Sequence, residues 1–208
     1  MITILQADAE FVREPLLAPF GFKGNYVDEL WQTAVRLQSS KTEAIGLGVQ
    51  SILWSDAAVF GENCPSGGNA LMFAMTSYAI KICKGISFTE PGELLDQLLE
   101  PVLAYGRQIT GRPDLRMTFA LNALVPVDFA AWSLYAQENG LTSFDEMIPA
   151  DVRPAMCSHQ DYLGRIPLIP YGMGKTEIEN LLDHGDFLLK IKIGSDPQGD
   201  HDPKKMLE

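Results

Sequence analysis

The segment Phe187–Gly194 constrains the fold most, because its residues alternate with the two-residue period of a β-strand. One side of this predicted strand is apolar and the other carries two lysines: Leu189, Ile191 and Ile193 against Leu188, Lys190 and Lys192. Lysines at this spacing are common on a solvent-exposed or edge strand, where they prevent unwanted pairing. In a closed parallel barrel both faces of a strand are covered, so the same lysines would point into the lumen.

The residues before this strand favour the barrel interpretation. Residues 166–171 predict a short strand, and Thr176–Gly185 predicts a helix, with Glu179 at capping-box spacing from Thr176 and Gly185 as its end. Strand, helix and strand in this order predict a βαβ unit with parallel strands. Catalytic residues in such folds lie at the C-terminal ends of strands, and Lys192 is close to the predicted end of its strand.

The lysine pair has a chemical use if it is enclosed. Residues two apart on one strand face are separated by about 6.6 Å, and at an effective dielectric constant of about 20 two positive charges there repel by roughly 2.5 kcal/mol. That repulsion lowers a lysine pKa by nearly two units, at about 1.4 kcal/mol per unit. Burial lowers it further. Lys192 is therefore a candidate general base, with Lys190 as the residue that tunes it.

Composition excludes several partners. The chain has 208 residues and a net charge of −11, which argues against nucleic acid and anionic membranes but permits a small anionic substrate in a local pocket. The N-terminal residues predict neither a signal peptide nor a transmembrane span. Cysteine is rare and unpaired in spacing, so reduced thiols and a cytoplasmic location are expected. The histidines have no metal-ligand spacing, so no metal site is predicted within the chain.

The remainder of the chain predicts an α+β domain. Alternation predicts an antiparallel meander of strands at residues 2–13, 30–37 and 44–49. Apolar periodicity predicts helices at residues 70–83, capped by Asn69, at 93–108, at 117–137, and after a cap at Ser143.

Two segments rich in Pro and Gly, residues 16–26 and 55–69, are predicted to be loops. The first carries the aromatic residues Phe20, Phe22 and Tyr26. A loop of this kind either packs onto the domain or closes as a flap over a ligand, and the pattern leaves both possibilities open.

Three motifs together resemble the mandelate racemase/muconate lactonizing enzyme family of the enolase superfamily. Val35–Leu37 with Ile45–Gly48 looks like the family's strand, turn and "GxG" strand. Val127–Leu134 is similar to its "D-x-A-x-W-D-L" helix, with Ser133 in place of the usual aspartate. Leu189–Gly194 looks like the K-x-K motif of the second barrel strand. Their order and spacing carry the resemblance over essentially the whole chain.

The resemblance implies a capping domain at residues 1–164, made of the antiparallel meander and helices, followed at residues 165–208 by the first βαβ of a (β/α)-barrel. It implies that Lys192 abstracts a proton α to a carboxylate, that Lys190 tunes it, and that both predicted loops are flaps. Substrate contacts are then expected from the first flap and the strand end at 171: Phe20, Lys23, Tyr26 and Tyr171. The expected partners are a small carboxylate substrate and further copies of the chain in a homo-oligomer.

The resemblance also implies a magnesium ion that holds an enediolate intermediate. In the family its acidic ligands end the third, fourth and fifth barrel strands, so here they are expected beyond Glu208. The 208-residue chain alone is therefore not expected to turn over substrate. The implied reactions are racemisation or epimerisation, dehydration and cycloisomerisation. A Schiff-base barrel lyase and a non-catalytic binding module stay open as alternatives.

Overall fold

The computed structural model of the chain describes residues 1–22, 25–156, 158–170 and 172–193. The strands are β1 (Ile2–Thr3), β2 (Gln6–Phe22), β3 (Asn25–Gln38), β4 (Glu43–Val49), β5 (Ser87–Phe88), β6 (Leu168–Ile169) and β7 (Lys190–Ile191). The helices are α1 (Ile52–Ser55), α2 (Ala57–Glu62), α3 (Pro65–Ile82), α4 (Pro91–Thr110), α5 (Met117–Asn139), α6 (Phe144–Met147), α7 (Arg153–Met156) and α8 (Lys175–Asp183).

The chain forms two compact units, and each of them consists of two stretches that are separated in sequence. The first contains residues 1–16 and 29–149, and the second contains residues 17–28 and 150–208. The second unit therefore combines the end of β2 and the start of β3 with the β6–α8–β7 segment. Residues 17–28 are called the hairpin end below. The boundary predicted from sequence, between residues 164 and 165, falls inside this second unit and stays a prediction.

The first unit is built on the predicted antiparallel meander, with strand order β2–β3–β4. Strand β3 alternates as expected, since Trp31, Thr33, Val35 and Leu37 are buried. Its neighbour β4 pairs with it in a register that places Val35 opposite Gly46. The antiparallel meander and its apolar face are thus confirmed.

Helix α5 covers the inner face of β4 and forms the centre of the core. A Cβ atom on Gly46 would overlap the Pro126 carbonyl oxygen and the Ala130 nitrogen, and one on Gly48 would lie 2.7 Å from Pro126 Cδ. The "GxG" pattern is therefore a packing requirement, because only glycine lets the helix backbone approach this closely. The helix continues through Pro126, although a proline inside a helix often kinks or breaks it.

Helix α5 is long and apolar enough to cross a membrane by length and composition alone. Its apolar residues have a different explanation, because Phe119, Ala123, Leu124 and Leu134 are buried and the helix packs against β4, α3 and α4. A helix that is apolar on most sides is typical of the centre of a core.

The described residues of both predicted loops are mostly regular structure. Residues 16–22 continue β2 and residues 25–26 begin β3, and Pro15 and Pro19 lie on the edge strand of the sheet, where proline is tolerated. Residues 55–69 lie mainly in α1, α2 and the start of α3.

Proline and glycine are also the reason why residues 55–69 were wrongly predicted to be a loop. Pro65 is at the first position of α3, where its missing N–H costs nothing, and Cys64 rather than Asn69 is the N-cap. Asn69 is buried inside the helix. At the N-terminus the single predicted strand is divided: β1 pairs with β5, and β2 starts at Gln6.

The predicted helices at 93–108 and 117–137 are confirmed as α4 and α5, and Ser143 caps α6 in a capping box with Glu146. Cys64 is exposed and Cys83 is buried, both as free thiols, and burial raises the pKa of Cys83 to about 11. Cys157 lies outside the described residues.

Asp56 ties the helical segment at 52–62 to the start of α5, which gives a first prediction. Its side chain is 4% exposed, and its oxygens accept from the backbone N–H groups of Ala58, Val59 and Arg116 at 3.0, 3.3 and 3.2 Å. Asp56→Ala leaves these donors without their carboxylate, so we expect a loss of about 2 kcal/mol in the free energy of unfolding, measured by urea denaturation.

The matched control for Asp56→Ala is Ser143→Ala, which removes a helix cap at an exposed position. We expect it to cost only about 0.5–1 kcal/mol. Equal losses in the two variants would contradict the role given to the buried carboxylate.

The second unit contains the predicted βαβ unit. Strands β6 and β7 are parallel, with Leu168 opposite Lys190 and Ile169 opposite Ile191, and α8 connects them. The helix starts at Lys175, one residue earlier than predicted, and Glu177 Oε2 accepts from the Gly174 N–H at 2.8 Å in place of the predicted Thr176–Glu179 pair. Gly185 ends the helical segment as predicted, with a φ of +91° that favours glycine.

Candidate active site

Lys190 lies in β7 and Lys192 follows this strand directly, and both side chains lie on the same side of the chain. The backbone N–H groups of Lys190 and Lys192 donate to the carbonyl oxygens of Pro167 and Ile169, both at 3.0 Å. Residues whose N–H groups point the same way also project their side chains to the same face. The register puts Leu168 beside Lys190 on this face, so the neighbouring strand contributes an apolar side chain there.

The side chain of Lys190 is exposed and that of Lys192 is half-buried, and the enclosure expected for both in a closed barrel stays a prediction. The opposite face of β7 is open as well, since Ile191 and Ile193 are 66% and 59% exposed. The reason is geometric, because a pair of parallel strands cannot surround a lumen in the way that a closed barrel does.

Lys192 is covered by an aromatic ring from the hairpin end. Its Nζ lies 3.8 Å from the centroid of the Phe20 ring, which is a cation–π distance. Both residues belong to the second unit, although they are far apart in sequence. The predicted flap residue Phe20 and the predicted base Lys192 are thus brought together.

The environment of Lys192 lowers its pKa below the ordinary value of a lysine. Burial is the larger cause that lowers the pKa of Lys192, and the positive charge of Lys190 is the second. The sequence argument had given the larger effect to repulsion. Burial has the larger effect because the exposed Lys190 is surrounded by solvent, which screens its charge. The Lys192 amine, in contrast, is partly desolvated by the residues around it.

An ion pair next to β7 was not predicted from the sequence. Asp186 is buried and its Oδ2 accepts from Arg165 Nη2 at 2.6 Å. It ties the segment before β6 to the turn before β7. The only sequence signal was an aspartate directly after Gly185, which by itself does not identify its partner.

The other predicted substrate contacts are less constrained. Tyr26 lies in β3 with its side chain 61% exposed, and its role stays a prediction. Lys23 and Tyr171 lie outside the described residues. The Val127–Leu134 motif is part of the α5 core, where burial raises the pKa of the half-buried Asp128 despite a hydrogen bond with Trp132.

A metal site is not formed by the part of the chain that the structure describes. There, no group of three or more His, Cys, Asp or Glu side chains is placed to hold a metal ion. Because magnesium prefers carboxylate oxygens, the described residues do not fit a resident magnesium ion. The expectation that its ligands lie beyond Glu208 remains a prediction.

Comparison with solved structures shows which fold this is. The chain resembles the muconate lactonizing enzyme from Pseudomonas fluorescens complexed with muconolactone, with 15% identity, a TM-score of 0.58, and coverage of 94% of this chain and 46% of that one. It also resembles the L-Ala-D/L-Glu epimerase from Bacillus subtilis in a substrate-liganded complex, with 17% identity, a TM-score of 0.57, and coverage of 93% and 46%.

A third similar structure is L-talarate dehydratase from Polaromonas sp. JS666 complexed with Mg and L-glucarate, with 16% identity, a TM-score of 0.53, and coverage of 88% and 42%. No protein-family model and no curated protein matches the sequence. The chain spans less than half the length of these solved structures. Similarity at this identity establishes the fold and leaves the reaction to chemical argument.

Each of the three structures is matched over nearly all of this chain, and they are those of an epimerase, a lactonizing enzyme and a dehydratase. The chain therefore has the fold of the N-terminal part of the mandelate racemase/muconate lactonizing enzymes of the enolase superfamily.

Proposed function

We propose that Lys192 is the general base of an enolase-superfamily reaction that removes the proton α to a carboxylate. The outcome is racemisation or epimerisation, dehydration or cycloisomerisation. The observation that supports this proposal is the position of Lys192 directly after β7, half-buried beneath Phe20 and beside Lys190, with a lowered pKa.

The lysine pair suits a carboxylate substrate. An acid's carboxylate is attracted by the positive charge of Lys190, and a neutral Lys192 amine can accept the α-proton on Nζ. Because Lys190 remains near the amine, its charge opposes protonation of Lys192 and also offsets the negative charge that develops on the substrate. The base must be neutral before the reaction, which is why a lowered pKa matters.

Magnesium and the remaining partners are part of the same proposal. The talarate dehydratase structure contains Mg, and magnesium would supply charge stabilisation if residues outside the described ones provide its ligands. The substrate class we propose is a small carboxylate, in line with the L-glucarate of that structure. A homo-oligomer in the cytoplasm, without nucleic acid or membrane partners, completes the proposal.

The direct test is α-proton exchange. The chain, and any longer form that continues past Glu208, is incubated with dipeptides, sugar acids and muconolactone-type acids in deuterated buffer with and without magnesium. We expect deuterium at the α-carbon only in the longer form, as read by mass spectrometry. Absence of exchange for every acid class in a form with a complete barrel would reject the proposal.

A Schiff-base lyase is the second candidate, because a lysine with a lowered pKa is also a good nucleophile toward a carbonyl. Borohydride would then trap a covalent adduct on Lys192, which proton abstraction does not form. A non-catalytic binding module is favoured by the exposed side chains of Lys190, Ile191 and Ile193. It would bind an acid without exchanging its α-proton.

A further inference from the structure

The contact between Phe20 and Lys192 links two segments that no local pattern connects. The ring belongs to the end of β2 and the amine to the end of β7, and the centroid-to-Nζ distance is 3.8 Å. Phe20 is itself half-buried. The ring was expected to contact substrate, yet here it contacts the proposed base.

We propose that Phe20 is a positioning residue for Lys192, whose ring face holds the amine as an ammonium ion in the ligand-free protein. The positioning role rests on the proposed function, since it assumes that Lys192 is the base. The contact itself is a property of the ligand-free chain.

The Phe20 ring has two opposite effects on the protonation of the Lys192 amine. As an apolar cover, the ring excludes water from the amine, and this favours the neutral form. As an aromatic face, it attracts the positive charge, and this favours the ammonium ion. Leucine keeps the first effect and removes the second, so the two effects can be separated by one substitution.

The surroundings of the amine make this separation measurable. The positive charge of Lys190 on the same strand is the Coulombic contribution that lowers the pKa of Lys192. On β6 the residue beside Lys190 is Leu168, which is uncharged. Among the described residues, the hairpin end carries Tyr26 and Asp28 as its titratable side chains. None of these is altered by a change at Phe20.

Displacement gives the contact a consequence for the reaction. A substrate whose α-carbon approaches Nζ from the side of the ring displaces the ring. If an apolar part of the substrate then covers the amine, water stays excluded while the cation–π contact is lost, so the ammonium ion gives up its proton more readily. The amine would thus become a base when substrate arrives and remain protonated before that.

The test uses the 208-residue chain labelled with ¹³C and ¹⁵N in lysine, with Lys192 assigned through Lys192→Arg. In the unmodified protein, the ε-methylene protons of Lys192 are expected to be shifted upfield by the ring current of Phe20, unlike those of the exposed Lys175. In Phe20→Leu this upfield shift disappears, and the pKa of Lys192 falls by about half a unit.

The matched control is Phe187→Leu, the same substitution at a side chain that is 82% exposed in the same unit. It should leave the pKa of Lys192 unchanged, and Phe20→Tyr should keep both the ring-current shift and the pKa. An unchanged or raised pKa of Lys192 in Phe20→Leu would overturn the proposal.

If Phe20→Leu does not fold, the ring-current shift in the unmodified protein tests whether Phe20 contacts Lys192. Absence of this shift also overturns the proposal. Failure of the proposed function is seen separately, as absent α-proton exchange. In that case Phe20 would still contact Lys192, but the contact would have no role in catalysis.

Discussion

Replacing Lys192 with alanine is expected to reduce α-proton exchange by about 10²–10⁴-fold, because a positioned general base contributes a factor of that size. Alanine removes the Nζ atom that would accept the proton and leaves Lys190 on the strand. The measurement is the rate of deuterium incorporation at the α-carbon, in a form of the protein that has exchange activity. Lys192→Arg should be as inactive, because arginine keeps its proton at all working pH values.

Two controls separate chemistry from folding and from general charge. Lys175→Ala removes a lysine that is 88% exposed and paired with Glu179 at 3.5 Å, and it should leave exchange unchanged. Lys190→Ala removes a charge that lowers the pKa of Lys192. The pKa of Lys192 then rises, so the rising limb of the pH–rate profile should move to higher pH. Exchange that survives Lys192→Ala would refute the assignment of the base.

Replacing Gly46 with alanine is expected to destabilise the protein by at least about 3 kcal/mol, the upper part of the range for overpacking a core. The added Cβ would overlap the Pro126 carbonyl oxygen and the Ala130 nitrogen and lie 2.9 Å from Ala130 Cα. These are backbone atoms of α5, so no side-chain rotation can relieve the clash. The helix would have to move away from β4.

The measurement for Gly46→Ala is thermal unfolding followed by circular dichroism, with an expected fall in Tm of about 6–12 °C. Gly92→Ala is the matched control, because a Cβ at Gly92 meets no heavy atom within 4 Å. It should change the free energy of unfolding by no more than about 0.5 kcal/mol. A similar Tm for Gly46→Ala and the unmodified protein would show that α5 and β4 are less closely packed than described.

Periodicity predicted the parts of the fold in which one face is buried. Strand β3 is an example, since burial of Trp31, Val35 and Leu37 is what makes its sequence alternate. The lysine pair on β7 was found in the same way. The parallel pairing of β6 and β7 followed from the helix between them, because a short turn cannot connect parallel strands.

Predictions failed where a residue had a tertiary role that its local preference conceals. Pro15 and Pro19 suggested a loop, but their strand lies at a sheet edge and tolerates proline. Gly68 suggested a loop as well, although it is buried in α3 against Ile52. The Phe20–Lys192 contact and the Arg165–Asp186 ion pair join distant residues, and a single sequence contains no signal for either pairing.

Because the second unit is made of two stretches that are far apart in sequence, it cannot fold early during translation. Residues 17–28 emerge early, but the segment with which they form a compact unit begins only at residue 150, about 120 residues later. At roughly 5–20 residues per second, the hairpin end waits on the order of 10 s for its packing partners. During that interval it is a site at which a chaperone could bind the nascent chain, and a gene truncated after residue 149 would leave it permanently in that state.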